Sequence, residues 1–322
     1  MAFENNNLFE QSVESFSSSD ITVSKRENKR KAILDIAVRC LLIAVCLSVF
    51  AYSVTMLVQN SLETDEVNEL YESVRPENVI SAVKPSTVLP EPSPMFTMKE
   101  MFDSGDEYLH YNGDIVSVED QQRRSAYYRN YIKFKNKYSD AYAWLYVNHT
   151  KIDYPVMKGE YTDYYLYRNF TGASSSSGCV TAESNMSDDY DSNLNNVFYG
   201  HCMKNGTMFR TLKTFMESAN RNTLVKTMNI EVYTEDGLYI YKVLSGYRND
   251  QNFFSKTKFS SQESFVSYLD KITSLNRLSV KNKYNTDSKI CTLITCANVS
   301  SNEEERYVLH GVLVEFIPAS NL

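Results

Sequence analysis

The chain has 322 residues and a formal net charge of −7 at pH 7, which argues against a broad basic surface for nucleic acid. Its 24 tyrosines and 16 phenylalanines, against 1 tryptophan, favour strands and half-buried surfaces. The length suffices for one or two domains with a sizeable core. The aromatic composition therefore predicts a β-rich protein, and the net charge says little about a peptide substrate.

The N-terminal part has the features of a membrane anchor. Residues 1–31 are polar and end in the basic cluster Lys25–Lys31, and residues 32–58 are apolar. Cys40 to Val58 contains no charge, and at ~1.5 Å per residue it nearly spans a ~30 Å hydrocarbon layer. The positive-inside rule predicts a single-pass cell-membrane protein with residues 1–31 in the cytoplasm and the remainder outside. A cleaved signal peptide would have a shorter apolar core of ~7–15 residues, so we favour an uncleaved signal anchor.

A linker follows the apolar segment. Residues 59–95 hold five of the seven prolines, between Pro76 and Pro94. Proline-rich segments are extended and moderately stiff, so residues 59–95 are predicted to be an extracellular spacer. The folded domain is expected to occupy residues 96–322.

Helical and strand patterns alternate from residue 118 onward. Tyr127, Tyr131, Phe134 and Tyr138 form a stripe at helical spacing, which is typical of a core-facing helix. The predicted helices are 118–138, 207–218 and 262–274, the last capped by Ser261. The predicted strands are 143–147, 152–157, 179–182, 196–200, 229–234, 238–247, 289–295 and 306–316. Many short strands with a few helices between them predict a closed β-barrel more than a parallel α/β sheet.

Three residues with catalytic chemistry lie at predicted strand ends. Cys296 ends one strand and Arg306 begins the next, so an antiparallel pair would bring them together. A thiolate attacks carbonyls, and a nearby cation lowers the thiol pKa or holds the resulting oxyanion. His201 follows Gly200 and opens a turn, so its imidazole can be presented as a general acid. The alternative is that Cys296 is a small buried residue and Arg306 a solvated strand end.

The remaining histidines and cysteines have simpler interpretations. His110 and His149 are predicted to lie at the surface, and His310 to pack within the last strand. The six cysteines show no CxxC or zinc-like spacing, so we expect neither a metal site nor a cofactor. Two disulfides among the last four cysteines are possible in principle. We expect Cys291 to be packing and Cys296 to be a free thiol.

Four segments carry a resemblance to class B sortases. They are TLITC (292–296) with Arg306 ten residues later, NVFYGHCMKNGTMF (196–209), KIDYPVMKG (151–159) and DYYLYRNF (163–170). The resemblance implies an eight-stranded closed barrel with Cys296 as nucleophile, His201 as general acid and Arg306 as oxyanion and substrate ligand. It also implies cleavage of a C-terminal sorting signal after Thr and transfer to a cell-wall amine.

The resemblance implies partners and leaves other functions open. The partners would be secreted proteins with a sorting signal, a peptidoglycan precursor or cross-bridge amine, and the membrane. Tyr199, Ile294 and Thr295 are candidates for the substrate groove, with barrel packing an equal alternative. The other functions are a pilin-polymerising sortase, a hydrolytic cysteine protease and a non-enzymatic surface receptor.

Overall fold

The computed structural model describes residues 7–76, 109–111, 114–116, 118–249, 252–296 and 306–322. The proline-rich part of the predicted linker, the predicted domain start at residue 96 and the loop between Cys296 and Arg306 lie outside these ranges. The chain divides into two compact units, Met1–Glu63 and Thr64–Leu322, which are described separately.

Helix α1 (Asn7–Glu72) contains the apolar segment. From Asn28 onward it is long and apolar enough to cross a membrane, as an anchor or as a signal sequence. Asp35 and Arg39 form an i, i+4 ion pair, with 2.8 Å between their side chains. Farther along, the hydroxyl of Ser53 donates to the carbonyl of Val49, so this polar group needs no water.

The second unit is built around a barrel. Its strands are β3 (Ala141–Val147), β4 (Asp153–Met157), β5 (Val180–Ala182), β6 (Asn195–Gly200), β7 (Asn229–Tyr233), β8 (Gly237–Asn249), β9 (Ile290–Cys296) and β10 (Arg306–Pro318). Among the described residues these eight strands close in the order β10-β8-β7-β3-β4-β5-β6-β9, which confirms the predicted fold class. The pairs β4–β5 and β6–β9 are parallel, and the other neighbours are antiparallel. A separate hairpin joins β1 (Leu109–Tyr111) to β2 (Asp114–Val116).

Helices cover parts of the barrel. They are α2 (Val118–Lys137), α3 (Arg210–Glu217), α4 (Arg221–Leu224) and α5 (Gln262–Ser274). The predicted aromatic stripe of α2 faces the core, since Tyr131 and Phe134 are 1% and 5% exposed. Ser261 caps α5 as predicted, because its hydroxyl accepts the backbone N–H of Ser264 in a capping box.

The structure differs from the predicted linker at its beginning. Helix α1 continues to Glu72, and residues from Thr64 belong to the barrel unit. Val67 and Tyr71 are buried against the barrel, 7% and 3% exposed. Arg75 also donates through Nε to the carbonyl of Asp153. Burial of these side chains holds residues 64–75 on the domain, and any extended spacer begins after them.

A buried ion pair fastens α2 to strand β7. The Glu231 carboxylate is 2% exposed and accepts two hydrogen bonds from Arg123, of 2.9 and 2.8 Å. The phenol of Tyr233 donates a third, 2.6 Å long. Burial alone would lower the pKa of Arg123, but the hydrogen bonds and charge of Glu231 outweigh it and raise that pKa.

Arg123→Ala is expected to lower the free energy of unfolding by about 2 kcal/mol, since it removes two charged hydrogen bonds from a buried carboxylate. Tyr233 and the neighbouring Arg124, 3.7 Å from the same carboxylate, limit the loss. Urea unfolding of the full chain in detergent measures it. The control is Arg129→Ala on an exposed site of the same helix, expected within about 0.5 kcal/mol of the parent. Equal losses in the two variants would show that the ion pair contributes nothing.

His310 lies inside the barrel, as its position in the last strand predicted. It is 0% exposed, and its Nδ1 and Nε2 lie 2.8 Å from the hydroxyls of Thr292 and Tyr247. The Thr292 hydroxyl donates to the side-chain carbonyl of Asn195, so it must accept from Nδ1–H, and Nε2 accepts from Tyr247. The neutral ring is therefore fully paired. His149 is exposed, also as predicted.

Burial lowers the pKa of His310 to about 3, so the protein should lose stability in mild acid. The unfolded chain binds a proton at His310 below about pH 6.5, whereas the folded chain does not. The contribution of His310 to the free energy of unfolding is thus fully present above pH 6.5 and falls by about 1.4 kcal/mol per pH unit toward pH 3. Urea midpoints at pH 7, 6 and 5 measure the slope. His310→Gln should flatten it and His149→Gln should leave it unchanged. An unaltered slope in His310→Gln would refute the assignment.

Candidate active site

The strand register brings three predicted catalytic residues to one edge of the barrel. Arg306, which begins β10, is the register partner of Cys296, which ends β9. This pairing confirms the predicted proximity of the two residues along the backbone. Strand β6 runs parallel to β9 with Gly200 opposite Thr295, so His201 leaves β6 at the level of Cys296. The backbones of Cys296, His201 and Arg306 therefore lie at the ends of three adjacent strands, at the same rim.

The imidazole of His201 is held by a backbone carbonyl. Its Nε2 lies 2.8 Å from the carbonyl oxygen of Leu166. Because a carbonyl only accepts, Nε2 carries a proton, and in the neutral ring Nδ1 is left as the acceptor. The ring of Tyr167 lies beside it, with centroids 5.7 Å apart.

The charge state of His201 follows from its surroundings. Partial burial lowers the pKa of His201 below its usual value, while the Leu166 hydrogen bond and the charge of Asp163 oppose this. The imidazole is therefore mainly neutral at pH 7, with Nδ1 able to accept a proton and later return it.

A tight loop, residues 165–179, sets the position of the Leu166 carbonyl. It begins with a 3₁₀ turn, Tyr165–Tyr167, and the N–H of Cys179 donates to the carbonyl of Tyr165 over 2.8 Å. Gly178 has φ 56°, and a Cβ there would lie 2.0 Å from the Leu166 oxygen. Only glycine fits against the acceptor of His201. No local pattern in the sequence shows which contact this glycine makes.

A backbone hydrogen bond joins the turn after His201 to His201 itself. The N–H of Phe209 donates to the carbonyl of His201 over 2.9 Å. Gly200 is the last residue of β6, so the chain leaves the strand there. Its missing side chain makes room for the Phe209 ring, 2.6 Å from where a Cβ would lie.

The three candidates for the substrate groove have different environments. Ile294 and Thr295 are 2% and 0% exposed, which favours barrel packing for both. Tyr199 is half-buried, and its phenol donates to the carboxylate of Glu183 over 2.7 Å. Burial and that carboxylate raise the pKa of Tyr199, so the phenol stays neutral. A role of Tyr199 in substrate binding stays a prediction.

Two other cysteines of the folded unit are poor nucleophiles. Cys179, Cys202 and Cys291 are buried, and Cys291 packs in the barrel as predicted. Burial raises the pKa of Cys179 to about 12, so it remains protonated at neutral pH. Burial also raises the pKa of Cys291, so Cys179 and Cys291 are poor candidates for the nucleophile.

Comparisons with known proteins identify the family of this chain. A family model described as the Sortase domain matches residues 145–314, more than half of the chain. Sortase B of Listeria monocytogenes is 29% identical over 178 residues, covering 54% of this chain and 70% of that protein. The crystal structure of Clostridium perfringens sortase B matches with a TM-score of 0.52 and 30% identity, covering 57% of this chain and 99% of that one.

A further structure, a sortase B complexed with triglycine, has a TM-score of 0.53 at 20% identity and covers 60% of this chain and 89% of its own. At that identity the likeness shows the fold alone. The family match, the closed eight-stranded barrel and the relatives agree on one assignment. This chain belongs to the sortase family of cysteine transpeptidases, and it is a sortase of class B.

Proposed function

We propose that this protein cleaves a C-terminal sorting signal of secreted proteins after Thr and transfers the acyl group to a cell-wall amine. The observation that carries the proposal is the strand register, which brings the backbones of His201, Cys296 and Arg306 to one rim. The fixed Nε2–H tautomer of His201 supports it further, because it leaves Nδ1 free for proton transfer.

The chemistry assigned to these residues is acyl transfer in two steps. Nδ1 of the neutral His201 takes the thiol proton of Cys296, the thiolate attacks the threonine carbonyl carbon, and Arg306 donates hydrogen bonds to the resulting oxyanion. As the C–N bond breaks, His201 gives its proton to the leaving amine, and a thioester remains on Cys296. The acceptor amine then attacks the thioester and returns its proton to His201. The new amide bond forms as the thiolate leaves.

We also propose a membrane topology for this activity. Residues 1–31 would be cytoplasmic, residues 32–58 would be the signal anchor, and the catalytic domain would be extracellular. The spacer would begin after residue 75, since the residues before it lie on the barrel. Both proposed substrates would lie at the outer face of the membrane, which fits this arrangement. Protease added to intact cells should digest the region after Val58, and its protection would refute the topology.

The reaction is tested with the full chain in detergent. A panel of candidate sorting peptides is incubated with and without triglycine, chosen because a sortase B of the same fold is complexed with that peptide. The expected products are a thioester on Cys296 and a peptide–triglycine conjugate, both absent in Cys296→Ala. Hydrolysis alone would indicate a protease, and preference for a lysine side chain would indicate pilin polymerisation. Absence of cleavage and of Cys296 labelling by a thiol reagent would leave a non-enzymatic receptor.

A further inference from the structure

The end of helix α1 lies against the loop that holds His201. Tyr71 is 3% exposed, and its phenol donates to the carbonyl of Gly178 over 2.8 Å. The same oxygen lies 3.2 Å from the sulfur of Cys179. The ring of Tyr71 packs edge-on against Tyr154 and Phe170, with centroids 5.3 and 5.5 Å apart. Tyr71 thus contacts loop 165–179 at its closing end.

The first connection from Tyr71 to His201 runs through that loop. Gly178, whose carbonyl Tyr71 binds, lies directly against the Leu166 carbonyl, as the 2.0 Å separation of a notional Cβ shows. The Leu166 carbonyl is the acceptor of His201 Nε2–H. A shift of the Gly178 peptide would therefore reach the imidazole through a single packed contact.

The second connection runs through the turn after His201. The phenol of Tyr154, on which Tyr71 packs, accepts the N–H of Met208 over 3.0 Å. Met208 has φ 53°, a left-handed conformation that a methionine adopts only when its surroundings hold it there. The next residue, Phe209, donates its N–H to the carbonyl of His201.

We propose that Tyr71 is a positioning residue for His201, acting through the Gly178–Leu166 contact on the ring and through Tyr154 and Met208 on the backbone. The inference rests on the proposed role of His201 as general acid and base. Both connections converge on one residue at the barrel rim. The docked end of α1 is therefore part of the catalytic framework, although it lies in a stretch whose sequence predicts a linker.

The consequence for catalysis concerns the imidazole tautomer. The Leu166 carbonyl keeps the proton on Nε2 and leaves Nδ1 as the acceptor. If the loop relaxes, this bond lengthens and the Nδ1–H tautomer gains population. In that tautomer Nδ1 already carries the proton and cannot accept another. Small misplacement of a catalytic group lowers turnover steeply, so an effect of about 10-fold on kcat is expected for loss of one supporting hydrogen bond.

Tyr71→Phe in the full chain in detergent tests the proposal. It keeps the ring and removes the hydroxyl. The matched control is Tyr131→Phe, since Tyr131 is equally buried and its phenol also donates to a backbone carbonyl, that of Tyr142. The readouts are kcat and KM for peptide cleavage and the imidazole ¹⁵N shifts of His201, assigned with His201→Asn. The ¹⁵N shifts report the tautomer without any turnover.

The expected result is a parent with the Nε2–H tautomer and a Tyr71→Phe variant with mixed tautomers, about 10-fold lower kcat and nearly unchanged KM. Tyr131→Phe should keep the tautomer and the kcat of the parent, even if its melting temperature falls as far as that of Tyr71→Phe. A Tyr71→Phe variant with the parent's tautomer and rate would overturn the inference. Failure of the proposed function would give a different result. His201→Ala would then retain activity, while the tautomer of His201 would still change in Tyr71→Phe.

Discussion

Arg306→Lys is expected to lower the rate of sorting-peptide cleavage by on the order of 100-fold, which is the usual loss for one oxyanion donor. Lysine keeps the positive charge at the start of β10, opposite Cys296. It lacks the planar fork of N–H groups that can hold two acceptors in fixed directions. The expected deficit therefore comes from geometry and not from charge.

Stability should change little in this variant. Arg306 is partly exposed and pairs at the barrel rim with Cys296 and Asn249, so the free energy of unfolding should change by less than roughly 1 kcal/mol. Melting temperature, cleavage rate and thioester mass are measured for Arg306→Lys and for Arg248→Lys. Arg248 is an exposed arginine on neighbouring β8, and its replacement should have no effect on rate. A cleavage rate for Arg306→Lys within a few-fold of the parent would make Arg306 a structural residue.

Gly178→Ala should lower turnover by a similar factor, on the order of 100-fold, because it displaces the acceptor of the His201 hydrogen bond. The added Cβ would lie 2.0 Å from the Leu166 oxygen and 2.5 Å from its carbon, both backbone atoms that cannot rotate away. The peptide of Leu166 must move, and the imidazole loses its fixed partner. The positive φ of 56° adds strain.

Gly172→Ala separates these two effects. Gly172 lies in the same loop with φ 89°, yet a Cβ there meets no atom within 4 Å. Both variants therefore carry backbone strain, but only Gly178→Ala collides with Leu166. The cleavage rates and melting temperatures of both are compared with the parent. Comparable rate losses would attribute the effect to strain in the loop, and the Leu166 carbonyl would lose its assigned role.

Local patterns in the sequence were sufficient for much of the scaffold. The α5 helix begins after Ser261 and ends at Ser274 as predicted, because a capping box and a periodic apolar face involve only neighbours in the chain. The α2 stripe and the β7–β8 hairpin are of the same kind. Cys296 and Arg306 could be paired in advance, since adjacent antiparallel strands joined by a loop meet at that loop. The pattern of many short strands predicted a closed barrel and the family resemblance implied that it has eight strands, and the structure confirms both.

Only the tertiary structure decided how the rim is assembled. The parallel pairing of β6 with β9 brings together residues nearly a hundred positions apart, and no short-range signal encodes such a contact. The same holds for Gly178 against Leu166, for Tyr71 against Gly178, and for Ile294 and Thr295, which are buried beside the proposed site. Residues 64–75 were assigned to the linker with the proline-rich stretch that follows, although Val67, Leu70, Tyr71 and Val74 have the i, i+3, i+4, i+7 spacing of a helix face. They fold onto the domain because the barrel supplies the surface that buries them.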